Sequence, residues 1–432
     1  MVSGTFTFAV LGAGARGQEF SQWLCEHPSA GRVVAVAEPD RERRQLIAEA
    51  HQIPMARQHA SWEELLARPR LADAVINTLM DRLHAPSALA ALKLGYHMLL
   101  EKPMAATLED CVAIDRMRQA TRRIVSVCHS LRHHVLYVQV KRLLVDGAIG
   151  QLVSFDQLEP VSPLHHAHSF VRGNWSNEAR SNFMLMTKCC HDVDVLAYLV
   201  GQPCRRVNSF GCLTYFRQAN APAGAPDRCT DGCPAEAACP YAVQKVYLPR
   251  EAFWGKFLWT QIAPGVATPE DRWRYLRTSP YGRCVFHCDN DVVDHQVVNF
   301  EFADGVTGTF TMTAFAQPMG RRSLRLHGTH GEIRAALDTN TIDLHRFADG
   351  LHLQYALPIQ RGSHMGGDDN LMSNFIQALR ANDPNLVLTT TTESLASHKI
   401  VFAAEQARRE GRVVALKELD PTPSCPDSEA ER

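Results

Sequence analysis

The first third of the chain alternates short apolar runs with amphipathic stretches. Phe6–Leu11, Arg32–Ala37, Ala74–Thr78, His97–Leu100 and Ile124–Val127 are apolar runs bounded by turn residues, the pattern of strands buried on both faces. Between them, Gln18–Cys25, the stretch from Asp40 to about Ala50, His84–Leu94 and a stretch opened by Thr107 read as helices. Asp40 is placed to cap the second of these, Gly95 ends the third, and Ser61-Trp62-Glu63-Glu64 has the form of a capping box for a short helix through Leu66. Strand and helix in regular alternation predict an α/β fold with a doubly wound parallel sheet.

Beyond residue 128 the pattern changes. Val135–Val145 reads as a helix, Leu152–Leu158 as a strand, and Met184–Val200 as one helix ended by Gly201. Val292–Phe302, Val306–Phe315 and Ser323–Gly328 alternate like antiparallel strands, with Ala303-Asp304-Gly305 as a hairpin turn. Gly366-Gly367-Asp368-Asp369 opens a helix to about Ala381, and Thr392 opens another to Glu410. No internal repeat appears.

The chemistry of the first part lies at the ends of its strands. Gly12-Ala13-Gly14-Ala15-Arg16-Gly17 fits G-x-G-x-x-G directly after the first strand, and Glu38 closes the second strand 21 residues after Gly17. Gly12 allows the tight turn, Gly14 lets a pyrophosphate approach the backbone, and Gly17 lets helix and strand pack closely. The helix N-terminus faces the phosphates, and Glu38 can accept bonds from both ribose hydroxyls, which favours NAD over NADP. Arg41, Arg43 and Arg44 stand near enough to Glu38 to keep NADP as the second choice. In doubly wound sheets ligands lie outside the carboxyl ends of the strands, where Thr78, Asp81, His84, Glu101 and Lys102 fall. Lys102, followed by Pro103, projects a cation toward the nicotinamide end of the cleft.

Length and composition narrow the classes. The 432 residues call for two domains; 45% are hydrophobic and 21% charged, a globular balance. A formal charge of −1 gives no electrostatic case for nucleic acid, and no apolar run reaches the ~20 residues of a membrane helix. Without a signal-peptide pattern, the 13 cysteines point to a cytoplasmic protein with thiols rather than disulfides.

These motifs resemble the Gfo/Idh/MocA oxidoreductases, which include glucose–fructose oxidoreductase and inositol dehydrogenase. The resemblance rests on Gly12-x-Gly14-x-x-Gly17, Glu38, Thr78 to His84, and above all Gly95-Tyr96-His97-Met98-Leu99-Leu100-Glu101-Lys102-Pro103. It extends through Gly147-Ala148-Ile149-Gly150 and His191-Asp192-Val193-Asp194 to about Val414. It implies an N-terminal Rossmann domain, 1–128, and a C-terminal α/β substrate and oligomerisation domain, 129–415, built on a large open, mostly antiparallel sheet. It also implies hydride transfer between a nicotinamide cofactor and a carbinol carbon of a sugar or polyol, a homodimer or homotetramer, contact of Lys102 with substrate and cofactor, and His191 as the catalytic histidine. Many relatives place aspartate four residues before that histidine; this chain has Thr187 there, followed by Lys188.

In the second part, Lys188, His191 and Asp194 recur every three residues and would share one helical face as an acid–base group. His168, Arg172 and Trp175 lie in a loop rich in groups that bond or stack on a polyhydroxylated ligand. Asp294 and His295 read as serving their strand, and His364 as able to approach substrate. Residues 217–282 look like an insertion. It carries Cys229-x3-Cys233-x5-Cys239, with Cys284-x3-Cys288 just beyond. Five cysteines so close suggest a structural zinc on Cys229, Cys233, Cys239 and Cys288, with Cys284 as alternative ligand; an iron–sulfur cluster or buried thiols are the other readings. Residues 416–432 read as a disordered tail. The functional expectation is an NAD-dependent oxidoreductase of a carbohydrate-like small molecule, with two rivals. One is a redox-neutral hydrolase or lyase that retains NAD and works through a transient ketone; the other is a non-enzymatic NAD-binding regulator.

Overall fold

A computed structural model describes residues 5–249, 251–316, 321–360 and 362–420. The first sheet is built from β1 (Phe6–Leu11), β2 (Gly31–Ala37), β3 (Gln58–His59), β4 (Ala74–Asn77), β5 (His97–Leu100) and β6 (Val125–Val127). All pairs are parallel, in the order β3-β2-β1-β4-β5-β6. That is the doubly wound order, with its switch between β1 and β4. Both faces are covered: Val10, Phe20 and Ile76 lie in one buried cluster, Ala9, Val75 and Leu92 in another. This is why these strands are continuously apolar.

The second sheet contains β7 (Leu152–Pro160), β8 (Cys204–Cys212), β9 (His295–Phe302), β10 (Thr307–Thr313), β11 (Ser323–Gly328), β12 (Gly331–Ala336), β13 (Thr341–Arg346), β14 (His352–Ala356) and β15 (Val414–Ala415). Its order is β14-β13-β12-β11-β7-β10-β9-β8-β15. Every pair is antiparallel except β7 and β10. Both predicted sheet types are therefore present.

Two expectations change, and one element crosses the predicted domain boundary. Met184–Val200 is not one helix: Met184–Thr187 forms a short turn, and the long helix starts at Cys190. The break exposes the Thr187 carbonyl, which accepts from Lys102 Nζ at 2.7 Å. The predicted boundary near residue 129 separates the two sheets, and one later helix crosses it. The helix Gly367–Ala381 returns to the first sheet, where Leu371, Met372 and Phe375 share a buried cluster with Phe8 and Phe20. The predicted tail starts too early: Leu416–Leu419 is a helical turn with Leu416 buried, and Lys399 pairs with Asp420. Residues 421–432 of that expected tail lie outside the described residues.

The insertion fills the connection between the adjacent strands β8 and β9. It has a core of its own, including Val243, Tyr247, Leu258, Trp259 and Leu276. Its turn Leu258–Ile262 packs on the helix Ala15–Glu26, and Gly265 lies so close to Glu42 that a Cβ there would stand 1.9 Å from Glu42 Oε2. The insertion thus rests on the two helices that follow β1 and β2.

Candidate active site

The glycine turn has the predicted form. Gly12 has φ +90°, and its amide donates to the Ala37 carbonyl at 2.8 Å, tying the turn to β2. A Cβ on Gly17 would stand 2.0 Å from the Gly12 carbonyl oxygen, so helix and turn pack only with glycine there. Gly14 differs: its φ of −67° suits any residue, and a Cβ would meet nothing within 4 Å. Neither strain nor packing asks for glycine at 14, which leaves the approach of a ligand as the reason. Ala15 opens the helix whose N-terminus faces that space.

Glu38, at the end of β2, is buried. Its carboxylate accepts from the Ala13 amide at 2.7 Å and the Asp40 amide at 3.1 Å, and lies 3.2 Å from Arg43. The acid thus reaches back to the glycine turn, at the ribose position, and Arg43 is engaged with it. The donor set fits a dinucleotide: an open glycine backbone, a helix N-terminus and an acid beside both.

Arg16 enters the cleft between the sheets. It donates to Glu101 at 2.5 Å and to both Asp368 oxygens at 2.8 and 2.9 Å, and it pairs with Glu19. Burial opposes its charge, but Asp368, Glu101 and Glu19 outweigh this and raise its pKa. Glu101 also accepts from the Lys102 amide at 2.5 Å. The glycine turn, the lysine strand end and the helix Gly367–Ala381 are thereby held together.

Thr78 and His84 have structural work. Thr78 Oγ1 donates to the Gly12 carbonyl at 2.7 Å, and the His84 ring bridges the carbonyls of Pro103 and Leu79 at 2.6 and 2.8 Å. These bonds support the glycine turn and the lysine turn. Asp81 accepts from Ser181 at 2.7 Å and from the Trp175 indole at 3.4 Å, linking the two sheets' loops.

Lys102, Lys188 and His191 converge. His191 is buried; burial lowers its pKa well below the usual value, and the positive charges of Lys102, Arg322, His364 and Lys188 lower it further. Its Nε2 lies 3.1 Å from Arg322 Nη2 and 3.3 Å from Asp192 Oδ2, whereas Nδ1 has no hydrogen-bond partner among the described residues. Arg322 Nε donates to Asp192 at 2.7 Å and lies 2.7 Å from Glu159, which is itself 3.3 Å from Lys188 Nζ. Burial works against the guanidinium, but Asp192 and Glu159 more than offset it and raise its pKa. The His364 ring meets His191 edge-on at 5.5 Å, held there by Asp368 at 2.8 Å. His364 has φ 46°, an unusual conformation for a non-glycine residue.

The expected acid–base face is corrected at one member. Asp194 points away from His191, to Arg132 at 2.6 and 2.8 Å and to Ser397 at 2.8 Å. Asp192 takes the place beside the imidazole. Asp192, Arg322 and Glu159 were missed; Asp192 adjoins a named histidine, but nothing local marks Arg322 or Glu159.

Two of the three expected substrate ligands are also corrected. His168 and Arg172 belong to a buried wide helical turn, His166–Arg172, inside the insertion's core. The His168 ring stacks on Trp254 and Tyr281 and bonds the Tyr247 hydroxyl at 3.0 Å; Arg172 donates to the carbonyls of Arg283 and Tyr241. Trp175 alone of the three stands by the cleft, at Asp81. Asp294 serves its strand as expected, accepting from the amides of Thr214 and Tyr215.

Among the cysteines, Cys229, Cys233, Cys239 and Cys284 line one cavity, whereas Cys288 turns to the Cys284 carbonyl at 3.2 Å. The alternative ligand Cys284 therefore replaces Cys288 in the group. Among the described residues no three His, Cys, Asp or Glu side chains are close enough to hold a metal ion as they stand. The twelve described cysteines form no disulfide.

Sheet order, open glycine turn and buried acid define a Rossmann-type nucleotide-binding fold, joined to a large, mostly antiparallel sheet. The chain belongs to the Gfo/Idh/MocA family: residues 6–129 match its NAD-binding Rossmann fold and residues 141–416 its C-terminal alpha/beta domain. It is 29% identical over 200 residues, 46% of this chain and 55% of the relative, to inositol 2-dehydrogenase 2 of Saccharopolyspora erythraea. It is 34% identical to inositol 2-dehydrogenase 1 of the same organism over 34% of this chain and 44% of the relative. The chain thus spans about half the length of the curated relatives it matches. An oxidoreductase domain protein from Kribbella flavida shares the fold at TM-score 0.71 and 14% identity, covering 96% of this chain and 100% of that one. Levoglucosan dehydrogenase with NADH and levoglucosan does so at TM-score 0.68 and 17% identity, with the same coverage of both chains. No described helix is long and apolar enough to cross a membrane.

Proposed function

We propose that the chain is an NAD-dependent dehydrogenase of a sugar, polyol or related hydroxy compound. The observation that carries this reading is the convergence of Lys102 and His191 beside the Gly12–Gly17 turn, with His191 Nδ1 left for a ligand. The nicotinamide supplies the hydride acceptor. Lys102 orients the substrate hydroxyl and favours alkoxide character at its oxygen. His191 takes the hydroxyl proton at Nδ1 and returns it in the reverse direction. For that role Nε2 must carry a proton, so its present contact with Arg322 Nη2 at 3.1 Å, in which a guanidinium that can only donate makes Nε2 the acceptor, must give way to Asp192, 3.3 Å away, as the acceptor. Asp192 thus stands in for the aspartate that Thr187 replaces. Lys188 and Trp175 are the substrate-binding candidates that face this region.

The engagement of Arg43 by Glu38 supports NAD over NADP, because a 2′-phosphate would have to displace the carboxylate. Carbohydrate-like substrates are supported by the inositol and levoglucosan dehydrogenases that the chain resembles. A homodimer or homotetramer formed through the second sheet is supported by the exposed Val153 and Phe210 on β7 and β8. A cytoplasmic setting fits the nicotinamide cofactor and the free thiols. The structural zinc that the cysteine spacing suggests would sit in the insertion and takes no part in hydride transfer.

The test is a panel of inositols, sugars and their acids with added NAD, read at the nicotinamide absorbance band. Lys102→Ala and His191→Ala should each lower kcat/KM by about 100-fold or more. Unchanged turnover in both variants would sink the assignment. One observation favours a second reading, redox-neutral chemistry with retained NAD: the insertion packs on both helices flanking the adenosine half of the cleft. Mass spectrometry of small molecules released on denaturation decides between them. Stoichiometric nucleotide would favour retention; its absence would leave the exchanging dehydrogenase.

A further inference from the structure

The insertion carries a second constellation, unrelated to the cleft. A cavity of about 10 Å³ is lined by the side chains of Cys229, Cys233, Cys239 and Cys284 together with Arg172. That volume suits one ion or one water molecule. Arg172 is buried, 1% exposed. Its Nε and Nη2 donate to backbone carbonyls, Nη2 also reaches Cys229 Sγ at 3.4 Å, and Nη1 has no hydrogen-bond partner among the described residues. Among the described residues no carboxylate pairs with it: Glu236, at the same wall, accepts instead from Gln244 at 2.9 Å. A buried guanidinium cannot be neutralised by losing its proton, so it requires an anionic neighbour. The groups facing it that can become anionic are thiols and the Tyr247 phenol, over whose ring it lies at 5.6 Å.

We propose that Cys229, Cys233, Cys239 and Cys284 bind one zinc ion as a closed four-thiolate site, with Arg172 as its buried countercharge. Four thiolates around a divalent ion leave two negative charges, and Arg172 offsets one of them. Disulfides between the same cysteines would be neutral and would leave the guanidinium uncompensated. The thiols do not yet meet at a point. All four border the shared space. The site crosslinks the segment 229–239 to residue 284, next to the return into β9, and so closes the neck of the insertion. Its role is structural. The proposal is independent of the hydride-transfer reading, and failure of either leaves the other standing.

The test is metal analysis of the full chain purified without chelators, followed by zinc addition and removal of unbound ion. The expected result is about one zinc per chain, lost in Cys284→Ser and kept in Cys288→Ser. Less than about half an equivalent of zinc in the wild-type chain overturns the proposal, as does iron with acid-labile sulfide. Retention by Cys284→Ser with loss by Cys288→Ser overturns the ligand set. Cobalt exchange into the wild-type chain gives a readout that needs no variant to fold: thiolate-to-cobalt charge-transfer absorption is expected, and its absence counts against four-thiolate ligation.

Discussion

At Gly17 a Cβ would stand 2.0 Å from the Gly12 oxygen, whereas at Gly14 it would meet nothing within 4 Å. The two positions therefore separate a packing role from a ligand role. Gly17→Ala should destabilise the chain by about 1–3 kcal/mol, read from the urea midpoint at unchanged slope. Gly14→Ala should cost no more than about 1 kcal/mol, the loss at a helix N-cap, and should weaken NAD binding by at least about tenfold in calorimetry. Equal effects on both properties in the two variants would refute the separation. This part of the site was legible because turn, strand and acid are consecutive in the chain. The environment of His191 was not: Asp192 is adjacent, but Arg322 comes from 130 residues further along and His364 from later still. The expectation that Asp194 serves His191 followed from helical spacing alone. Spacing says which residues share a face, not which of them is already held by an arginine on another element.

Among the elements, periodicity found the long helices and the apolar strands. It missed the break at Lys188 and Cys189, because Leu185, Met186, Val193 and Leu196 keep an uninterrupted apolar pattern across it. The break serves tertiary contacts, with the Thr187 carbonyl turned to Lys102 and the next helix beginning at Cys190. Strands β12, β13 and β14 were not picked out: β12 and β13 do alternate buried and open positions, but each of the three is only five or six residues long. The parallel pairing of β7 with β10 places Leu158 and Glu159 beside Thr311 and Met312, a register no local pattern specifies. Glu159 enters the cleft from β7, Asp192 from the helix Cys190–Val200, and Arg322 from the start of β11, so one guanidinium ties three elements. Arg322→Met leaves buried Asp192 without its guanidinium and Glu159 with Lys188 alone. It should cost about 3–5 kcal/mol in denaturant unfolding, and Arg322→Lys should recover part of that loss. A loss below about 1 kcal/mol in Arg322→Met would show that the network is not load-sharing.

The whole molecule joins its two sheets through C-terminal helices in a way that bears on its pH stability. The C-terminal helices return to the first sheet and seal the junction, burying polar groups that a two-globule picture would leave in water. Histidine is buried both at this junction, at His129, His133 and His398, and in the insertion's core, at His166 and His168. His129, His133, His166, His168 and His398 are all buried, and burial pushes their pKa values down, to about 3 for His129 and His168 and about 4 for the others. The sequence offers no sign of this, since an isolated histidine does not reveal whether tertiary contacts will desolvate it. The unfolded chain takes up these protons near the ordinary value of 6.5, so below it the unfolded state binds more protons than the folded one. Their neutral forms are therefore fully compatible with the fold above about pH 6.5, and stability falls as pH drops toward 4 by about 1.4 kcal/mol per pH unit for each histidine. His166 isolates the effect. Both its ring nitrogens are without hydrogen-bond partners among the described residues, its ring stacks on Phe216 at 5.2 Å, and Asp294 opposes the downward shift only in part. His166→Phe removes the proton but keeps an aromatic ring against Phe216. Urea unfolding of the two chains at intervals between about pH 6 and 4.5 should show a shallower loss in the variant, by about 1.4 kcal/mol per pH unit, whatever its stability at neutral pH. Parallel curves would mean that His166 already takes up its proton in the folded chain at these pH values.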